Sequence, residues 1–149
     1  MSTARNKART RAFQILFEAD HRGVTPVSVL ADWVRRSRTP DEGTPQVSEY
    51  TMELVEGYSQ YAARIDDLLA TYAVGWTLDR MPIVDRNVLR LGAYELIWED
   101  GVPDAVVLDE AVEIAKEYST DESPAFVNGL LARLKDLKPT LRATRDERA

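Results

Sequence analysis

An all-helical fold is what this sequence predicts, on three observations. Apolar residues recur at three- and four-residue spacing along nearly the whole chain. No stretch alternates apolar and polar residues with the period of two that a strand requires. Prolines, and glycines such as Gly23 and Gly101, stand at breaks between the periodic segments. The pattern divides into roughly six or seven helices in one domain over residues 12–137. A basic arm (1–11) leads into the first helix, and a charged tail (138–149) is expected to be disordered.

The elements follow in order. Ala12, Phe13, Ile15, Leu16, Phe17 and Ala19 form one broad stripe, and His21-Arg22-Gly23 ends that helix, with Gly23 suited to the left-handed stop position. A short helix over Val27–Arg36 turns Val27, Leu30, Ala31 and Val34 inward. Residues 37–47, with two prolines and a glycine, read as a surface loop. Ser48 caps a long segment reaching about Tyr72, with Gly57 as a candidate break. Pro82 precedes a helix bearing Val84, Val88, Leu91, Leu96 and Ile97, apolar on so many sides that it reads as the centre of the core. Gly101-Val-Pro103 is a tight break, after which a helix runs from Asp104 to Tyr118. Ser123-Pro124 reads as a hydroxyl cap followed by first-turn proline, opening a helix with Phe126, Val127, Leu130, Leu131 and Leu134. Pro139 closes the ordered part.

Composition narrows the function classes. At 149 residues, 44% hydrophobic and 30% charged, the chain is globular in composition and long enough to bury a core. It has no cysteine, which excludes disulfides, thiolate metal sites and a cysteine nucleophile and fits a reducing compartment. No apolar run approaches the ~20 residues that span a bilayer. A cytoplasmic protein without membrane contact is expected.

Charge is distributed unevenly. Arg5, Lys7, Arg9 and Arg11 place four positive charges and no acid in the first eleven residues of a chain whose net charge is −6. Without that segment the remainder holds 15 basic against 25 acidic side chains, a net of −10. Such polarity points to a partner of opposite sign, a phosphate backbone being the natural one for the arm. On charge alone, an incidentally basic terminus is an equal reading. In an extended segment the four side chains would point one way; in a helix they form two rows, Arg5/Arg9 and Lys7/Arg11. Four phosphate contacts predict a salt slope of about −3 on single strands. Specific recognition would add aromatic platforms, for which Phe17 and Phe126 are candidates beside the ordinary reading as core residues.

Catalytic chemistry finds little footing. His21 is the lone histidine and stands at a helix end, where a cation offsets the carbonyl pole. Gly92, Gly101 and Gly129 are isolated, so there is no phosphate-cradling loop. Asp109, Glu113 and Glu117 line one helix face and read as a solvated or partner-facing row rather than a cation site, which needs ligands from a second element. No cofactor and no enzymatic activity are expected.

Four ordered blocks resemble the NusB family of transcription antitermination factors. They are Ala8-Arg9-Thr10-Arg11-Ala12-Phe13-Gln14-Ile15-Leu16-Phe17, Asp85–Leu96, Val102-Pro103 with Asp109–Lys116, and Asp121–Leu130 containing Phe126-Val127-Asn128-Gly129. Together they span roughly residues 4–134; residues 22–48 and the tail after Leu134 carry no signature. The resemblance implies two small helical bundles packed together and a non-catalytic role: binding single-stranded boxA RNA with NusE, a small-subunit ribosomal protein. That complex would help RNA polymerase pass terminators, notably on ribosomal RNA operons, so the elongation complex is an indirect partner. Carried over by position, the RNA surface comprises Arg5, Lys7, Arg9, Arg11, Phe17 and Phe126, and the protein partner meets the face bearing Asp85, Arg90 and Glu122. For Asn128 and Gly129, RNA contact stands beside a structural reading, in which Asn bridges backbone groups and Gly permits close helix contact. Two rival readings remain. One is a protein–protein module whose basic arm is incidental. The other is a relative of the N-terminal module of ribosomal RNA cytosine methyltransferases, which the absence of a following α/β domain and catalytic cysteine disfavours.

Overall fold

The computed structural model describes residues 3–38 and 46–145. Among these, every regular element is helical, and the chain forms two compact units, residues 1–60 and 61–149. The expected 37–47 loop lies mostly outside the described residues, although Ser37 and Arg38 belong to a helix.

The first unit holds α1 (Ala4–Arg22), α2 (Pro26–Arg38) and α3 (Glu49–Gln60). Helix α1 starts inside the expected arm because Thr3 caps it, its hydroxyl accepting from the Asn6 N–H at 3.0 Å. It stops at Gly23, whose φ of 70° lets its N–H return to the Ala19 and Asp20 carbonyls. Ala12, Phe13, Ile15, Leu16 and Ala19 pack with Val29, Leu30, Leu54, Val55 and Tyr58 as the core. In α2 the inward residues are Val29 and Leu30; the expected Val27 and Ala31 face solvent, since the helix contributes only a narrow stripe. Ser48 does cap α3, accepting from the Thr51 N–H at 3.2 Å.

The second unit contains α4 (Ala62–Tyr72), a 3-10 turn (Leu78–Arg80), α5 (Ile83–Ile97), α6 (Asp104–Tyr118), α7 (Ser123–Asp136) and α8 (Lys138–Thr144). Helix α5 is central, packed by α4, α6, α7 and α8 and buried almost without interruption from Asp85 to Ile97. Gly92 lets α7 approach it closely: a Cβ there would lie 2.7 Å from a Leu131 methyl.

Three expectations change. The long segment after Ser48 breaks at Tyr61, not at Gly57, which is buried within α3; the Tyr61 ring stacks on Trp98 at 5.1 Å. Ser123 is the first residue of α7 rather than its cap, and its hydroxyl serves Asp85 instead. Residues 138–144 of the expected disordered tail form α8. Leu141 is buried, Arg142 and Arg145 donate to the Ile97 carbonyl at 3.2 and 2.9 Å, and Lys138 pairs with Asp104 at 2.6 Å. These contacts satisfy the C-terminal carbonyl of α5 and carry α8 past Pro139, which sits harmlessly in its first turn.

Candidate nucleic-acid interface

The basic residues ride on a formed helix, so the two-row geometry applies. Arg5 and Lys7 are exposed and Arg11 is half-buried, whereas Arg9 is only 4% exposed. The Arg5/Arg9 row lies against α3: the Arg5 guanidinium sits 4.2 Å and that of Arg9 5.6 Å from the Tyr50 ring centroid. The first turn of α1 holds no acid, so the positive pole of the helix and the side-chain charges reinforce one another. That arrangement costs helix stability locally, and the buried face of α1 offsets it. Phe17 is half-buried in a ladder along α1, 6.0 Å from Phe13 and stacked on His21 at 6.2 Å.

In the second unit Phe126 is also half-buried, and its neighbour is a residue the sequence reading did not single out. Trp76, 48% exposed, tilts against it with centroids 6.1 Å apart. Val74, two residues earlier, is 86% exposed and Gly75 between them has φ 81°. A lone Val-Gly-Trp outside any apolar period was the available signal.

Of the three residues assigned to a protein partner, two are occupied within the unit. Asp85 is buried and accepts hydroxyl hydrogen bonds from Ser119 at 2.6 Å and Ser123 at 2.9 Å, joining the start of α5 to the α6–α7 connection. Arg90 grips both Asp66 oxygens, at 2.9 and 3.0 Å, and donates to Asn87 at 3.0 Å. Glu122 is exposed. Asn128 and Gly129 are exposed as well, and a Cβ on Gly129 would meet nothing within 4 Å, so close helix contact does not explain that glycine. Asp109, Glu113 and Glu117 lie on the exposed side of α6, and Glu113 pairs with Lys116 at 3.5 Å. Among the described residues no His, Asp or Glu cluster is arranged to hold a metal ion, and no helix is long and apolar enough to cross a membrane.

Two helical units, the first opening on a helix with an acid-free basic start, define an all-helical protein. The chain belongs to the NusB family of transcription antitermination proteins, whose family model matches residues 6–136. It is 76% identical over 139 residues to the transcription antitermination protein NusB of Streptomyces griseus, covering 93% of this chain and 96% of that protein. The Thermobifida fusca protein of the same name is 56% identical over 138 residues, with 93% of each covered. Among solved structures, T. maritima NusB superposes with a TM-score of 0.79 at 36% identity, covering 96% of this chain and 99% of that one. A crystal structure of antitermination factors NusB and NusE in complex with dsRNA gives 0.76 at 29% identity, with 91% and 98% covered.

Proposed function

We propose that this protein is a non-catalytic antitermination factor of the cytoplasm that binds boxA-type single-stranded RNA jointly with a NusE-type ribosomal protein, and so modifies RNA polymerase, notably on ribosomal RNA operons. The observation that carries this reading is the acid-free, capped N-terminal end of α1, which presents Arg5 and Lys7 to solvent in a family whose solved members include an RNA complex. Single-stranded rather than duplex RNA suits the exposed Trp76 beside Phe126, since only an unstacked base offers its face to an aromatic ring. An acidic body favours encounter with a basic ribosomal protein. Exposed Glu122 remains the partner residue of choice, while Asp85 supports its surroundings through the adjacent Ser123.

The test is fluorescence anisotropy of a labelled boxA-type RNA, titrated with this protein alone and with the ribosomal partner at matched salt. A scrambled strand and a duplex serve as controls. Tighter binding to the boxA strand, strengthened by the partner, is expected. Equal weak binding to all three RNAs with no partner effect would overturn the reading in favour of a protein–protein module, a role that the exposed Val74 and Trp76 also fit.

A further inference from the structure

We propose that Tyr50 is a positioning residue for nucleic acid: its ring holds the Arg5 guanidinium, with Arg9 close by, so that Arg5 meets a phosphate already oriented. The inference rests on the reading of α1 as the RNA surface and goes beyond it, because Tyr50 lies on α3 and outside the basic arm.

The geometry is specific. Arg5 stands in the first turn of α1, exposed, where neither a neighbouring carboxylate in that turn nor the helix pole would hold it. Its guanidinium carbon is nonetheless 4.2 Å from the centre of the Tyr50 ring, well inside the range for attraction between a cation and an aromatic face. A guanidinium held over a ring still has N–H groups directed away from it, which can engage phosphate oxygens in pairs. Freedom that an arginine would lose on meeting RNA is in this way already lost in the free protein, which favours binding.

Tyr50 is itself placed by two neighbours in sequence. Ser48 caps α3, which sets Tyr50 in the first turn, and the buried Thr51 hydroxyl donates to the Ala8 carbonyl at 3.1 Å. That bond ties the start of α3 to α1 between Arg5 and Arg9, and so fixes the register in which one ring serves both arginines. Arg9, 4% exposed and 5.6 Å from the ring centroid, packs the inner side of this arrangement rather than presenting its charge.

The experiment is a double-mutant cycle in the full-length protein. Wild type, Arg5→Ala, Tyr50→Leu and the double variant are titrated against a short fluorescein-labelled single-stranded RNA, with Tyr50→Phe as the conservative variant. Tyr50→Leu is expected to weaken binding about two- to fivefold, the scale of an exposed cation–aromatic contact. It should do nothing further once Arg5 is Ala, and Tyr50→Phe should bind as wild type. An equal loss from Tyr50→Leu with and without Arg5 would overturn the inference and leave the RNA reading intact. Should Arg5→Ala and Lys7→Ala both leave affinity unchanged, the RNA reading fails and the inference with it. If Tyr50→Leu does not fold, Arg5→Lys decides, since it keeps the charge and loses the flat face. Weaker binding by Arg5→Lys supports the role, and wild-type binding overturns it.

Discussion

Replacing Asp85 with Ala separates a residue that holds the second unit together from one that greets a partner. The carboxylate is 3% exposed and accepts two hydroxyl hydrogen bonds, from Ser119 at 2.6 Å and Ser123 at 2.9 Å, with the Thr120 hydroxyl 2.9 Å from Ser123. Hydrogen bonds to a charged group contribute about 1.5–3 kcal/mol each, so losing both costs roughly 3–6 kcal/mol, increased where a buried hydroxyl is left without an acceptor. For a chain of this length that lowers the melting temperature by on the order of 10 °C. Asp85→Asn keeps the shape and one acceptor, and a hydroxyl can reverse to accept from the amide, so its cost should be about 1–2 kcal/mol. Thermal and urea unfolding followed by circular dichroism measure both variants. The reasoning is refuted if Asp85→Ala melts within about 2 °C of wild type, a shift worth less than one such hydrogen bond. Reduced affinity for the ribosomal partner in that well-folded variant would return Asp85 to the interface.

Three further outcomes can be checked together. Gly92→Ala should destabilise by about 1 kcal/mol net, because overpacking outweighs the gain in helix propensity; the added Cβ would lie 2.7 Å from a methyl of Leu131, which is fully buried and must shift. A melting temperature above wild type would contradict this. Gly129→Ala should instead stabilise by about 0.5–1 kcal/mol in urea unfolding, since the new methyl meets nothing within 4 Å; a loss of stability would show that the glycine is structurally required. With Arg9 buried, three of the four cations in the first eleven residues remain for phosphate, so the salt slope on single-stranded RNA should be about −2 rather than −3. Lys7→Ala should make that slope shallower while Arg9→Ala chiefly lowers stability, and the reverse order in an anisotropy series across salt would refute the assignment.

Where structure depends on local period and punctuation, the sequence was a sufficient guide. The helix read as Asp104–Tyr118 has those bounds, Gly23 stops α1, and Pro82 precedes the buried α5. What escaped depends on partners distant along the chain. The break at Tyr61 accompanies stacking on Trp98, and α8 is held by the Ile97 carbonyl, 45 and 48 residues from Arg142 and Arg145. The same holds for the candidate site. Helical spacing separated Arg5/Arg9 from Lys7/Arg11, but only the position of Tyr50 shows which row lies against α3, with Arg9 buried there and Arg5 exposed. Asp85 and Arg90 looked like surface charge because Ser119 and Asp66 lie 34 and 24 residues away.

Helix α1 begins at Ala4 and shares its length between the basic residues and Ala8, Ala12, Phe13 and Leu16 of the core. The basic side chains proposed to meet RNA are therefore carried on a formed helix, with its backbone already ordered when the protein folds. Association should leave far-ultraviolet ellipticity unchanged and show little of the heat-capacity decrement that accompanies coupled folding. Encounter rates should then follow ionic strength rather than the tempo of a disorder-to-order step. A substitution that unsettles the buried face of α1 should also displace the basic side chains on its exposed face.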